Sequence, residues 1–141
     1  NLMSFQHPIA VRFRDLDALQ HVNNAVTVTY LETARFAWWQ DYLQGRTFES
    51  EGFLIARIEV DYKKPILLTH DVRIEIRVTH VGTKSFHLSY RVFDVLSGDT
   101  LAKALTVQVM LDFASFTSKT LSPQALSWLQ SQLDPQASDR E

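Results

Sequence analysis

Three stretches of this chain alternate between apolar and polar residues, and two others repeat apolar residues at helical spacing. Val72, Ile74, Ile76 and Val78 alternate with Asp71, Arg73, Glu75, Arg77 and Thr79, the pattern of a strand with one buried face. Phe86, Leu88, Tyr90 and Val92 do the same against Ser85, His87, Ser89 and Arg91. Leu54, Ala56, Ile58, Val60 and Tyr62 alternate with Arg57, Glu59, Asp61 and Lys63. That run is expected to bury one face, with Pro65 marking its end or an edge. Leu101 to Phe113 reads as a long apolar strand. Turn residues at Val81-Gly82-Thr83-Lys84 and Ser97-Gly98-Asp99 join these runs closely, so their neighbours pair antiparallel. A shorter alternation, Val11 and Phe13 against Arg12 and Arg14, predicts one more strand, while the residues before His7 carry little pattern.

The helical periodicity begins after Asn23 and Asn24. Val26, Tyr30, Ala34, Ala37 and Trp38 form one stripe, widened by Leu31 and Phe36, and the run ends near Tyr42 to Gly45. Asn is among the best helix caps and Gly the expected stop. Ser122 followed by Pro123 opens a short second helix over about 123–133, with Leu126, Leu129 and Leu133 on one face and Asp134-Pro135 as its stop. Residues 134–141 are expected to be a loose tail. The resulting order is strand, long helix, four strands, short helix. It predicts an α+β arrangement in which a five-stranded antiparallel sheet wraps around one long central helix.

Composition narrows the functional classes. A chain of 141 residues with 45 % hydrophobic content supports a single domain, 1–141, with its own core. A net charge of -2 gives no general reason to expect nucleic-acid binding. The absence of cysteine excludes disulfides, thiolate nucleophiles and cysteine-based metal sites. His7, His70, His80 and His87 show no metal-ligand spacing, so neither a metal nor a cofactor is expected. No apolar run approaches the length of a membrane span, and no signal-like segment opens the chain, so a cytoplasmic location is the default expectation.

The elbow Asp15-Leu16-Asp17-Ala18-Leu19-Gln20-His21 leads into the long helix. A helix starting near Asn24 turns its spare N–H groups and partial positive charge back toward that elbow. Amides that polarise a carbonyl, set beside a carboxylate, are the parts needed to attack an acyl group. The competing interpretation is that these Asp and Asn residues are only turn formers and caps.

At these residues the chain resembles a known family. DLDALQHVNNAVTVTYLETAR resembles the signature D-x-D-x-x-G-H-V-N-N-x-x-Y-x-x-Y-x-E-x-A-R of the 4-hydroxybenzoyl-CoA thioesterase-like, hotdog-fold proteins. VGTKSFHLSYRVFD and LAKALTVQVMLDF resemble that family's later strands. Gln20 stands where the family usually has Gly, and Thr27 where Tyr is common. The resemblance implies a hotdog fold and an acyl-CoA thioesterase that needs no cofactor. Asp17, matching the second Asp of the motif, is the implied catalytic carboxylate, as nucleophile or as base for water, with the Asn24 backbone N–H as oxyanion donor. Asp15, His21 and Asn23 are supporting residues, Asp15 holding the elbow or pairing with Arg12 or Arg14. The resemblance also implies a homodimer, or a dimer of dimers, with sites at the interface.

Coenzyme A brings phosphates that call for Lys, Arg, hydroxyl and backbone donors. Thr83, Lys84 and Ser85 at their turn are the leading candidates, with Lys63, Lys64 and Arg57 as weaker alternatives. Glu32 and Arg35 have the spacing of an ordinary surface ion pair. Tyr30, Trp38 and Trp39 suit either an acyl tunnel or the core, and such stripes are usually core. The resemblance implies an acyl-CoA or an acyl carrier protein thioester as substrate, and neither a nucleic-acid nor a membrane partner is expected. The rival functions are an acyl-CoA hydratase or dehydratase and a non-catalytic acyl- or partner-binding domain.

Overall fold

The computed structural model describes residues 4–134 and 136. In chain order the elements are β1 (Phe5–Ile9), α1 (Asn24–Leu43), β2 (Phe53–Tyr62), β3 (Val72–Val81), β4 (Ser85–Asp94), β5 (Thr100–Asp112), β6 (Thr117–Ser118) and α2 (Pro123–Gln132). Five strands form an antiparallel sheet in the order β1-β3-β4-β5-β2, and the two-residue β6 folds back onto β5. The chain leaves the sheet at one edge, β1, and re-enters at the other, β2. Helix α1 spans the sheet between those edges. The fold is the α+β arrangement expected: a curled antiparallel sheet around one long helix.

Two expectations about the strands are corrected. The first strand lies at Phe5–Ile9, not around Val11–Phe13. Phe13 is 75 % exposed and belongs to a short 3-10 turn over Phe13–Asp15. Four alternating residues were too few to outweigh the pairing that Phe5–Ile9 finds along β3. In β2, neither face is buried along most of the strand, because it is the sheet's edge and α1 does not cover it. Leu54, Ile58 and Tyr62 are 45 %, 40 % and 44 % exposed. By contrast, β3 and β4 alternate as read: Val72, Ile74, Ile76, Val78, Phe86, Leu88, Tyr90 and Val92 are buried.

Helix α1 starts at Asn24, with Asn23 as its cap, the side-chain oxygen accepting from Ala25 N at 2.8 Å. It ends where Gln44 and Gly45 both turn left-handed, at φ 48 and 87. Its buried face carries Thr27, Tyr30, Leu31, Ala34, Arg35, Trp38, Trp39, Tyr42 and Leu43. The predicted stripe was rotated slightly, since Phe36 is exposed and Val26 and Ala37 are only half-buried. The expected surface pair of Glu32 with Arg35 does not form, because Arg35 turns inward and is buried.

The C-terminal half of α1 is sealed by aromatic rings. Trp39 stacks on Phe86 at 5.6 Å and meets Phe53 edge-on at 5.4 Å, and Trp128 of α2 closes on Trp38 at 5.2 Å. Trp38 and Trp39 are therefore core and not tunnel wall. Helix α2 is capped by Ser122 Oγ, which accepts from Ala125 N, and docks through Ala125 and Leu129. It ends at Gln132, close to expectation; of the expected loose tail, all but Asp134 and Gln136 lies outside the described residues.

Candidate active site

The elbow is a closed loop of backbone hydrogen bonds. Asp17 N donates to His21 O at 2.8 Å and Gln20 N donates to Asp17 O at 3.0 Å, making a turn over Asp17-Ala18-Leu19-Gln20. Gln20 sits at φ 65, a left-handed backbone that glycine adopts without strain and a side-chain residue does not. Asn23 N donates to Asp15 O at 2.9 Å, and Val22 N donates to Ile66 O at 2.8 Å. The second bond ties the elbow to the segment following β2. The turn is thus held against both the start of α1 and the far end of β2.

The two elbow aspartates have different surroundings. Asp15 Oδ2 accepts from Tyr30 Oη at 2.5 Å and from Arg12 N at 3.0 Å. Burial, reinforced by the hydrogen bond to Asp15 and by its charge, pushes the Tyr30 hydroxyl far above its ordinary value. The partners of Asp15 are thus Tyr30 and a backbone amide, and not the arginine side chain expected as one alternative. Asp17 is half-buried. Its Oδ1 accepts from Leu19 N at 2.9 Å, and its other oxygen has no hydrogen-bond partner among the described residues.

Asp17 opens onto a cleft of about 440 Å³ that His21, Asn23, Asn24, Thr27, Tyr62, Lys63 and Lys64 also line. At the helix start, Asn23 satisfies the amides of Ala25, Val26 and Thr27 through its side chain and carbonyl. The Asn24 N–H has no partner among the described residues. It is the first amide of α1, where the helix dipole is most positive. Tyr62 Oη donates to Asn24 O at 2.7 Å and fastens the end of β2 to the helix start. Burial raises the Tyr62 hydroxyl above its ordinary value. The cleft therefore joins a carboxylate with an open oxygen, an unpaired amide at a positive helix end, and a lysine. Such a site suits a substrate that develops negative charge on oxygen.

The sequence readings meet this geometry unevenly. Asp17, Asn24, His21, Asn23 and Lys63 come together, and Asp15 supports them from behind. Lys63 is in no ion pair among the described residues, whereas Lys64 pairs with Asp99 at 3.1 Å and Arg57 with Glu59. Thr83, Lys84 and Ser85 do not join them within one chain. Ser85 is in register with Val109 and Leu54, at the other end of β2 from Tyr62, about 27 Å away along the strand. Tyr62 was not singled out from sequence. Its place as the last apolar position before Lys63-Lys64-Pro65 was the available signal. No cluster of three or more His, Asp or Glu able to hold a metal occurs among the described residues.

Residues 11–130 match the model of the Thioesterase-like superfamily. The chain belongs to that superfamily. It is 32 % identical over 119 residues to the long-chain acyl-CoA thioesterase FadM of Escherichia coli, covering 83 % of this chain and 89 % of that one. It is 25 % identical over 136 residues to 1,4-dihydroxy-2-naphthoyl-CoA hydrolase of Nostoc punctiforme, covering 91 % and 88 %. Among solved structures, a Thermus thermophilus thioesterase complexed with coenzyme A and Zn superposes with a TM-score of 0.80 at 35 % identity, covering 90 % of this chain and 92 % of that one. The chain is a thioester hydrolase with the hotdog fold. No helix in the described residues is long and apolar enough to cross a membrane.

Proposed function

We propose that the chain is a cytoplasmic acyl-CoA thioesterase in which Asp17 and the Asn24 amide act on the two sides of one thioester carbonyl. The observation that carries this reading is that Asp17, with one oxygen left without a partner, and Asn24, with its N–H left without one, line the same cleft. The thioester oxygen sits at the Asn24 N–H, where one donor of this kind contributes about 3 kcal/mol to the transition state. Asp17 either attacks the carbonyl carbon, forming an anhydride that water then cleaves, or takes a proton from the water that attacks it. Both routes consume one water, release the thiol of coenzyme A and leave a free acid. Both also need Asp17 ionised, which the positive end of α1 favours.

The nucleotide part of coenzyme A is bound by Lys63 at the cleft and by the Thr83-Lys84-Ser85 turn of a second copy. Edge strand β2 carries exposed Leu54, Ile55, Ile58 and Tyr62, which an aqueous edge does not tolerate well. Antiparallel pairing of two β2 edges about a two-fold axis covers them. It also sets the Leu54 end of one chain beside the Tyr62 end of the other. The partner's turn then approaches the cleft, which explains why a single chain holds the two halves of the coenzyme A site so far apart.

A thiol-release screen over short, long and aromatic acyl-CoAs, with Asp17→Asn as the control, tests the reaction. Hydrolysis that the control lacks is the expected result. Equal release by both proteins overturns the role of Asp17, and no release on any substrate overturns the reading. Light scattering of wild type and Ile58→Lys tests the edge pairing: a dimer that the lysine dissociates is expected, and a monomeric wild type excludes it.

A further inference from the structure

One face of α1 stays open where the helix passes β2. Val28, Glu32 and Phe36 follow one another at helical spacing on that face and all three are exposed, Phe36 at 52 %. A hollow of about 610 Å³ lies between α1 and the first residues of β2. Glu32, Arg35 and Phe36 line it from the helix, and Leu54 and Ile55 line it from the strand. The helix stripe and the exposed strand edge are therefore one surface. An apolar patch of this kind with charges set inside it is the mark of an interaction site.

Those charges are one cation and one carboxylate that do not meet. Arg35 is 7 % exposed, Glu32 is exposed, and neither is in an ion pair among the described residues, although their spacing would permit one. Arg35 Nη1 instead donates to Tyr90 Oη at 3.1 Å, and Tyr90 is bonded in turn to Thr106, which fixes the guanidinium. In a single chain, water in the open hollow meets the other Arg35 donors and the Glu32 oxygens. A molecule that covers the hollow displaces that water, and the guanidinium then needs an acceptor from the molecule that covers it. The covering surface must bring apolar side chains, a carboxylate for Arg35 and a cation for Glu32. A second copy of this face brings all three.

The placement of helix on strand brings the two copies into line. Tyr62 Oη bonds Asn24 O at 2.7 Å, and Trp39 meets Phe53 at 5.4 Å. Ile58, midway between Phe53 and Tyr62, is therefore level with Leu31 and Glu32, midway between Asn24 and Trp39. A two-fold axis that sets Leu54 beside the partner's Tyr62 passes through Ile58, and so passes α1 at the level of Glu32. The axis reverses the second helix, which turns Val28 toward the partner's Phe36. Arg35 lies only about 4.5 Å along the helix from Glu32 at a rise of 1.5 Å per residue, so Glu32 meets the partner's Arg35. Symmetry makes the same contact twice. We propose that Glu32 and Arg35 form two reciprocal ion pairs between subunits, which fix the register of the paired β2 edges. This inference rests on the edge pairing proposed above and names the charged contact that specifies it.

The test measures dimer dissociation of the full chain by sedimentation over a dilution series. The variants are Glu32→Gln, Glu32→Lys, Arg35→Glu and Arg35→Met, each first shown to be folded by circular dichroism. Loss of close charge pairs across an interface predicts a dissociation constant about 10-fold or more above wild type for Glu32→Gln. Glu32→Lys should weaken the dimer further, because it sets a lysine against the partner's Arg35 twice. Mixing then separates pairing across the axis from pairing within one helix. A heterodimer of Glu32→Lys with Arg35→Glu carries two matched pairs, whereas each parent homodimer carries two like-charged ones. Native mass spectrometry after subunit exchange should show that heterodimer in large excess. If Arg35→Glu does not fold, Arg35→Met replaces it. Its heterodimer with Glu32→Lys keeps one intact pair and should be about 10-fold tighter than the geometric mean of the two homodimers. A heterodimer at that mean overturns the inference, since the charges then act within one chain. A dimer that Glu32→Lys leaves unchanged also overturns it while the edge pairing stands, and a wild type monomeric at every concentration overturns both. None of these readouts depends on thioester cleavage, so the hydrolase reaction stands or falls separately.

Discussion

The two ends of helix α1 each carry a carboxylate among hydroxyls, yet they are built for opposite purposes. At the C-terminal end Glu51 is buried. It accepts from Tyr42 Oη, from Ser122 Oγ at 2.8 Å and from Arg46 Nη1 at 3.4 Å, while its carbonyl accepts from Trp39 Nε1 at 2.8 Å. These bonds join α1, the turn before β2 and the cap of α2. At the N-terminal end Asp17 has one oxygen tied to its own turn and one open to the cleft. A carboxylate whose lone pairs are all taken locks elements together, and one with a lone pair to spare is available for chemistry. The difference lies in how completely each is hydrogen-bonded and not in residue type.

The largest expected effect separates the ends most sharply. Asp17→Asn keeps the bond from Leu19 N and removes the charge, so kcat should fall by about 10³-fold or more with Tm almost unchanged. Steady-state thiol release and a melting curve check both halves. Glu51→Ala should do the reverse. It leaves Tyr42, Ser122 and Arg46 without their shared acceptor and should lower stability by about 3 kcal/mol, read from a urea unfolding curve. The kcat of the folded fraction should stay at the wild-type value. If Glu51→Ala also abolishes turnover in folded protein, the two ends are not separate.

Asn23→Ala bridges the two properties. Loss of the cap should cost about 1 kcal/mol of stability, and the loosened first turn should lower kcat because the Asn24 amide loses its fixed direction. A change in stability with unaltered kcat would argue against that amide as the oxyanion donor. The pH dependence is carried by the tyrosines at both ends. Tyr30 and Tyr42 are raised above the ordinary 10.0, mainly by burial and then by hydrogen bonds to Asp15 and Glu51. The unfolded chain therefore loses these protons first. Stability is complete below pH 10 and falls as the pH rises above it; Tyr30→Phe should blunt that fall in pH-dependent melting. The smallest effect is at Gln20, where glycine relieves the left-handed backbone but loosens the unfolded chain. Gln20→Gly should gain no more than about 1 kcal/mol.

Much of the fold was legible because its physical signals are local. The alternation of β3 and β4, the Asn23 cap, the Gly45 stop and the Ser122-Pro123 start each depend on residues close in sequence. The elbow was legible as a candidate site for the same reason, since a cap and two aspartates fall within one short stretch. Arg35 shows where this ends. Its spacing from Glu32 suited a surface pair, and only the packing of α1 against the sheet turned it inward onto Tyr90 of β4. Likewise the alternation in β2 predicted a buried face, but burial depends on what lies opposite, and α1 leaves that edge open.

By itself the chain's sequence determined both helices and the four later strands of the main sheet, though not the first, where the long helix begins, and that a carboxylate lies just before that start. Those properties follow from side-chain periodicity, capping and turn chemistry within a few residues. Tertiary structure decided which of the two aspartates stays open, that Tyr62 and Lys63 complete the cleft, and that Thr83 to Ser85 lie beyond its reach in one chain. These depend on strand order and register, which bring together residues far apart in sequence and which no local pattern encodes.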